Sequence, residues 1–505
     1  MFEKGYQLFY RYSSREWYDN FQSYIPTSEL IDIIKNELPA DWKHMRKSNW
    51  YSVNSPSSTL IRQGWKIHIS ATPQNCEEVL RIVTKVCVRY QVSFKFQTDR
   101  RLVMFSSGKG WSREASGKFI TIYPSNEQQF KEIIDELYID LTPYVGPYIL
   151  SDLRYKDSNC VYYRYGGIDG FNLLEVTGDK KYYLEAPDGS LAPDFRTPFW
   201  NPPYWVNDPF QHEEQNDSDE EVILKEGRYV INFPISFSVT GGVYNALDLD
   251  TGDIVIIKEA RPYTGFDEDG LDAVERLKKE FRILKSLNDT GATPQAIDLF
   301  YEWEHLFFVQ ELVEGTDLGT MCINSNPLMR VNKSEESIRE YSIKLRNTWC
   351  SLANTVNTLH EEGIIQGDLS LKNVLINDDG SNIKIIDFES AILIGKDKTT
   401  RICTPGFTSP QRMYNKSQCK EDDYYSLGAI MLGTLFPING ILEQDSRVAK
   451  AFIEELGEGL KIPIEIRQLI NLCLSENPDN RPSPTKLVDT INQYMLQEKN
   501  QEGIQ

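Results

Sequence analysis

No two of the eight cysteines in this 505-residue chain form a C-x-x-C pair, and histidine occurs only five times. Neither a structural zinc site nor a disulfide framework is therefore expected, and the thiols are expected to be buried and reduced. No apolar run approaches the roughly 18 residues needed to span a bilayer. The start, Met1-Phe2-Glu3-Lys4-Gly5, leads into no apolar stretch of secretory type. Net positive charge is absent as well. The formal charge of −20 argues against a nucleic-acid partner. Internal repeats are also lacking. These absences predict a cytoplasmic protein with no membrane partner.

What is present has the composition of a soluble globular protein, with 40% apolar and 25% charged residues. The length predicts two or three domains, each with its own core. The acidic average hides a contrast, because residues 60–125 carry eleven Lys and Arg against four Asp and Glu. An anion site is expected in that stretch. The run His212-Glu213-Glu214-Gln215-Asn216-Asp217-Ser218-Asp219-Glu220-Glu221 reads as a solvated linker. Just before it, residues 187–209 are rich in proline and aromatics, including Trp200 and Trp205, and are expected to pack irregularly on the first domain. The resulting division is a first domain over 1–210, a linker over 211–223, a second domain over 224–498 and a polar tail over 499–505.

In the first domain, Lys66-Ile67-His68-Ile69-Ser70 alternates with the period of a strand, and Phe94-Lys95-Phe96 and 119–123 read as further strands. Segments 74–90 and 128–141 have helical spacing. The order is α+β rather than regular βαβ. The second domain begins with strands at 229–237, 243–249 and 254–258. A helix at 270–287 follows, and the chain is mostly helical after Leu318.

Gln366-Gly367-Asp368-Leu369-Ser370-Leu371-Lys372-Asn373 and Asp387-Phe388-Glu389 carry the pattern of phosphoryl transfer. That chemistry needs positioned metal, phosphates and acceptor more than covalent help. Asp368 fits the acceptor of the substrate hydroxyl's proton, and Asn373 and Asp387 fit hard oxygen ligands for Mg²⁺. Lys258 closes a strand and would neutralise phosphate charge, with Glu280 on the next helix as its partner. These roles occur in the order found in protein kinases, which the chain resembles over about residues 224–498. Thr404-Pro405-Gly406-Phe407-Thr408-Ser409-Pro410 looks like the end of an activation segment. Asp423 and Arg481 also match family positions. The glycine-rich loop departs from the pattern, with only Gly241 fitting, so cover over the phosphates is expected to be looser. Gln366-Gly367 replaces the usual His-Arg. Ser370 replaces a usual lysine, and Gln411 a glutamate.

In the first domain, Lys66 and His68 share one strand face. His68 suits protonation of a leaving phosphate. A lysine can serve as the base for a Cα proton only if its pKa is depressed, and Lys95 in its cation-rich surroundings fits that demand. Arg113, Arg154 and Arg164 can donate forked hydrogen bonds to phosphate. The stretches Gly64–Thr72, Phe94–Phe96, Arg113–Pro124, Gly146–Tyr155 and Val161–Gly166 resemble the lyase domain of class III and IV lanthipeptide synthetases. That domain is related to effector phosphothreonine lyases. The resemblance implies that His68 and Lys95 are acid and base. It also implies that Lys66, Arg113 and the later arginines cradle phosphate, with Tyr123 and Lys118 as weaker carry-overs.

Together the resemblances imply an α+β multidomain protein, with a phosphothreonine-lyase-like domain ahead of a bilobal protein-kinase-like domain. They imply phosphorylation of Ser and Thr in a ribosomally made, leader-bearing precursor peptide, using ATP or GTP and Mg²⁺ but no zinc. β-Elimination to dehydroalanine or dehydrobutyrine would follow. The family's C-terminal cyclase has no counterpart in the sequence, so it is expected in a missing portion or on a separate protein. Two alternatives stay open. One is an effector-type lyase acting on proteins, with a regulatory kinase or pseudokinase half. The other is a non-catalytic, peptide-binding pseudokinase.

Overall fold

The computed structural model describes residues 24–58, 61–174, 180–210, 222–267, 269–377, 382–399, 404, 406–409, 411–412, 417–437 and 446–502. The acidic run after Phe210, Cys403, Pro405, Pro410 and the last three residues of the tail lie outside the described residues.

The first part is built on seven strands: β1 (Lys43–Lys47), β2 (Trp50–Asn54), β3 (Gln63–Ile69), β4 (Ser93–Gln97), β5 (Ile120–Tyr123), β6 (Leu153–Arg154) and β7 (Val161–Gly167). They form one antiparallel sheet in the order β1-β2-β4-β5-β3-β7-β6. Successive side chains on a strand point to opposite faces, so the sheet sorts the sequence into two sets. Trp65, Ile67, Ile69, Phe94, Phe96, Ile120, Ile122, Val161 and Tyr163 join one core. The helices Cys76–Arg89 and Glu127–Asp140 cover that face with Val79, Val83, Phe130, Ile134 and Leu137. Asn126 caps the second helix by accepting from the Gln129 amide at 2.9 Å. Lys66, His68, Lys95 and Thr121 are thereby directed to the opposite face. Phe130 is fully buried, with ring contacts to Trp65 at 5.7 Å and Tyr163 at 5.8 Å. Phe130→Ala is expected to cost about 3–5 kcal/mol, measured as a lowered urea midpoint at unchanged slope.

Three short strands, β8 (Phe171–Leu174), β9 (Lys180–Glu185) and β10 (Leu191–Pro193), make a separate antiparallel sheet. The proline-rich stretch that follows is tied down by its aromatics. Trp200 stacks on Trp65 at 6.1 Å, and Phe210 packs on Tyr155 at 4.8 Å.

The second part opens with β11 (Ile223–Leu224), β12 (Tyr229–Phe237), β13 (Gly242–Asp248), β14 (Ile254–Ala260), β15 (Ala296–Glu302) and β16 (His305–Glu311), ordered β11-β12-β13-β14-β16-β15. The helix Ala273–Leu287 packs on this sheet, and Asp272 caps it. A larger helical lobe follows, with helices Glu335–Glu361, Lys420–Leu435, Ser446–Gly459, Ile464–Cys473 and Pro484–Glu502. The α+β class and the small strand-rich lobe before a large helical one are both as expected.

The two parts touch through charged and backbone groups. The Gly265 amide donates to the Ser107 carbonyl at 2.7 Å. Arg261 donates to the Tyr148 carbonyl at 2.6 Å, and Arg154 Nη2 to Glu304 Oε2 at 2.7 Å.

Candidate active sites

Strand register builds the first site. Lys95 stands opposite Thr121, Thr121 opposite His68, His68 opposite Tyr162, and Tyr162 opposite Arg154. Directly paired residues share a face, so these five form one row across the sheet. The Cα atoms of Lys95 and His68 are two strand spacings apart, about 10 Å. The neighbouring row holds Tyr123, Lys66 and Arg164, with Lys66 directly opposite Arg164. The stretch of sheet between His68 and Lys95 is therefore bordered on the His68 side by the cations Lys66 and Arg164.

Secondary contacts orient each group. His68 Nδ1 bonds Asp152, which also accepts from Ser151 Oγ at 2.8 Å and pairs with Lys118 Nζ at 3.3 Å. Lys66 Nζ donates to the Gly167 carbonyl at 2.9 Å. Arg164 Nη2 donates to Asp194 Oδ1 at 3.2 Å and to the Phe195 carbonyl at 3.0 Å. Lys95 Nζ lies 4.5 Å from the centre of the Trp50 ring.

Burial lowers the Lys95 pKa to about 8, and Arg196, Lys118 and Lys47 push the same way. Burial, with Arg164 beside it, takes Lys66 to about 7 although Asp194 opposes. Burial brings His68 down to about 4 against the pull of Asp152. Burial raises Asp152, but His68 and Lys118 more than offset this and hold it well below the carboxylate range. A phosphate dianion entering this face would favour the imidazolium form of His68 and the protonated form of Lys66.

A stability test follows from Lys66. Between about pH 7 and the ordinary lysine value of 10.5 the unfolded chain binds more protons at this position than the folded one. The destabilisation by Lys66 is therefore full below pH 7 and fades as pH rises to 10.5. Lys66→Met is expected to stabilise the unliganded chain more at pH 6 than at pH 10, as followed by urea denaturation.

Arg113 and Arg154 are placed differently from the cradle expected of them. The turn Arg113–Ala115 directs the Arg113 guanidinium over the Phe237 ring of the second part, 4.5 Å from its centre. Arg154 stands on the functional face but at the sheet edge. Its guanidinium bonds Glu304 and lies over Tyr148 at 5.1 Å. The reason is packing, because both arginines fall where the second part docks. Of the three arginines singled out, the structure brings Arg164 next to Lys66. Asp152, Asp194 and Arg196 were not singled out. Asp152 sits within the quoted Gly146–Tyr155 stretch and offered a signal, whereas Arg196 lies in the irregular proline-rich stretch and offered none.

The second site is a cleft of about 860 Å³ under the β12–β13 hairpin. Lys258 on β14 donates to Glu280 Oε1 at 2.6 Å and lies 3.7 Å from Asp387 Oδ1. Glu280 Oε1 also accepts from the Phe388 amide at 3.1 Å. Burial acts to lower Lys258, but Glu280 and Asp387 hold it at about 12 and keep it cationic. Gly241 has φ +153°, and a Cβ there would stand 1.9 Å from the Glu259 carbonyl oxygen, so only glycine lets the hairpin close onto β14.

The catalytic loop is pinned from below. Asp423 accepts from the amides of Gln366 at 3.0 Å and Gly367 at 2.8 Å, and from His360 Nε2 at 2.8 Å. Gln366 donates to the Asp387 carbonyl at 2.9 Å and accepts from the Asp368 amide at 2.6 Å. It thereby links the two acidic motifs. Asn373 Nδ2 donates to the Asp368 carbonyl at 2.9 Å, which leaves its Oδ1 for a cation. Asp368 Oδ1 is buried without a hydrogen-bond partner among the described residues. Burial, reinforced by Asp387, lifts Asp368 to about 6, with Thr404 and Arg412 opposing. Gly367 has φ +80°, and a Cβ there would stand 2.1 Å from Gln418 Nε2 and 3.2 Å from both terminal nitrogens of Arg412. Arg412 is a further cation beside Asp368 that sequence reading missed.

Comparison with known proteins agrees with both halves. A protein kinase domain model matches residues 238–492, half of the chain. The chain belongs to the protein kinase family. Ahead of the kinase domain, the N-terminal domain of RamC matches residues 31–222. The chain is 33% identical over 439 residues to a probable SapB synthase of Streptomyces coelicolor, covering 87% of this chain and 46% of that protein. It is 28% identical to NUAK family SNF1-like kinase 1 of Mus musculus over 50% of this chain and 37% of that kinase. It is 25% identical to serine/threonine-protein kinase PkaA of Streptomyces coelicolor, over 52% of this chain and 48% of that kinase. The chain thus spans less than half the length of each. The SapB synthase match extends through both the RamC-type domain and the kinase domain. No helix among the described residues is long and apolar enough to cross a membrane.

Proposed function

We propose that the chain is the dehydrating part of a class III lanthipeptide synthetase. Its kinase domain phosphorylates Ser and Thr of a ribosomally made precursor peptide. Its RamC-type domain then expels the phosphate to leave dehydroalanine or dehydrobutyrine. The division at 1–210, 211–223 and 224–498, with a tail at 499–505, belongs to the same reading. The observation that carries it is the presence, on one polypeptide, of two complementary sites. One is a cleft with the Lys258–Glu280 pair and Asp387, beside a loop whose Asp368 Oδ1 has no hydrogen-bond partner among the described residues. The other is a cation-lined face with an Asp152-oriented His68 and a lysine poised near pH 8. The SapB synthase likeness supports the reading, and retention of Lys258, Glu280, Asp368 and Asp387 speaks against a pseudokinase.

ATP fits as phosphoryl donor, with GTP as the other candidate. Asn373 Oδ1 and Asp387 fit Mg²⁺, which would neutralise charge on the donor phosphates. Asp368 Oδ1 accepts the hydroxyl proton of the peptide. At the other site, Lys66 and Arg164 hold the phosphate, Lys95 takes the Cα proton, and His68 protonates the departing phosphate. A cyclase, linked or separate, would then add cysteine thiols to the alkenes.

The direct test uses a synthetic phosphoserine peptide and the purified chain. Release of inorganic phosphate, with an alkene trapped by added thiol, is expected without nucleotide. Absence of both products would sink the assignment. With phosphate bound and favouring the protonated forms of His68 and Lys66, the kcat for this elimination is expected to rise with pH as Lys95 loses its proton. Arg196→Ala should move that limb to higher pH, because it removes a like charge that helps depress Lys95.

A further inference from the structure

The RamC-type domain reaches into the kinase cleft. Its segment Lys109–Arg113 lines the same 860 Å³ space as Gly241, Lys258, Asp387 and Glu389. Lys109 Nζ lies 3.2 Å from Glu389 Oε2, and Arg276 Nε bonds the other oxygen of that carboxylate at 2.9 Å. Glu389 directly follows the Asp387-Phe388 pair, so the cleft carries an extra negative charge beside a metal-binding carboxylate. Of the charged residues lining it, the kinase domain supplies four carboxylates (Glu259, Glu280, Asp387 and Glu389) and two cations (Lys258 and Arg276). Left to itself, this cleft would have an excess of two negative charges facing a polyanionic donor. Lys109 and Arg113 restore the balance. The segment is held in place from both sides, by the Gly265 amide on Ser107 and by Arg113 on Phe237 at the end of the hairpin. That hairpin is the one whose glycines are too few for the usual backbone cover.

We infer that Lys109 is a nucleotide-phosphate ligand delivered to the kinase cleft by the neighbouring domain, with Glu389 fixing its direction. One N–H of the ammonium stays on Glu389, and the other two are free for phosphate oxygens. Arg113 is a positioning residue that locks the segment against the hairpin. The inference rests on the reading of the cleft as a nucleotide site.

The test is nucleotide binding by the full chain, with MgATP and adenosine as probes. Lys109→Ala is expected to weaken MgATP binding at least about tenfold while leaving adenosine affinity within twofold, and Lys109→Arg should restore most of the loss. The variant Glu389→Gln separates a phosphate ligand from a mere counter-ion. Lys109→Ala should still weaken MgATP binding at least about fivefold in the Glu389→Gln background. An effect that vanishes in that background overturns the inference, as does MgATP affinity within twofold of wild type in the single variant. Equal loss for adenosine and MgATP also overturns it, since that result marks general damage to the cleft. If the wild type fails to bind MgATP at all, the nucleotide reading itself falls and takes the inference with it. Wild-type binding with an indifferent Lys109 removes the inference alone.

Discussion

Asp368→Ala is expected to cut phosphoryl transfer to a serine-bearing peptide by about 10³-fold or more, the range for a positioned proton acceptor. The same variant should still eliminate phosphate from a synthetic phosphopeptide. Asp368 Oδ1 is buried and has no hydrogen-bond partner among the described residues, and a carboxylate oxygen is left so in a folded protein only at some cost. The surrounding groups are rigidly held: Gln366 fixes the Asp368 amide, Asn373 fixes its carbonyl, and Asp423 holds the loop beneath. Loss of the carboxylate therefore removes one function from an otherwise intact loop. Burial sets the Asp368 pKa at about 6, so wild-type transfer should fall off below pH 6 as the acceptor becomes protonated. Mass spectrometry of the peptide after incubation with MgATP checks both statements. Dehydrated peptide from the Asp368→Ala chain, starting from unphosphorylated substrate, would break the assignment.

Much of this arrangement was legible in the sequence because it is local. The period-two alternation at Lys66–Ser70 specified both a strand and the shared face of Lys66 and His68, and β3 runs over Gln63–Ile69. The order of Lys258 and Glu280 foretold their pairing, to which the fold adds the approach of Asp387 to Lys258. What escaped was set by register and docking. That Lys95 and His68 lie in one row depends on β5 standing between their strands, and no residue pattern announces which strand does so. Asp152 is 84 positions from His68, and their pairing exists only after the sheet has closed. The fates of Arg113 and Arg154 depend on a neighbouring domain, so their spacing within the first domain could not reveal that Phe237 and Glu304 would claim them. Gln418 and Arg412 close on the catalytic loop at Gly367, where a Cβ would stand 2.1 Å from Gln418 Nε2, a consequence of backbone shape rather than of motif.

Lys95→Ala and Lys95→Arg are both expected to stall the chain at phosphopeptide, with elimination slowed about 10³-fold or more. The arginine variant is the sharper of the two. Arginine keeps the positive charge and much of the length, so it would preserve a phosphate contact, but it cannot be deprotonated in working conditions and so cannot act as a base. Lys66→Arg should behave differently. Lys66 stands across from Arg164 and is assigned to phosphate, so another cation there is expected to raise KM while retaining much of kcat. The contrast follows from surroundings. Lys95 is buried with the cations Arg196, Lys118 and Lys47 around it, which together disfavour its charged form. Burial and Arg164 lower the empty-site Lys66 further, to about 7, but Asp194 opposes them and a bound phosphate would favour its charged form. Rapid-quench assays with a phosphothreonine peptide, read by mass spectrometry, would separate the two lysines. Near wild-type elimination by Lys95→Arg would mean that the Cα proton leaves by another route, and the base would then have to be sought among the remaining groups of the same row.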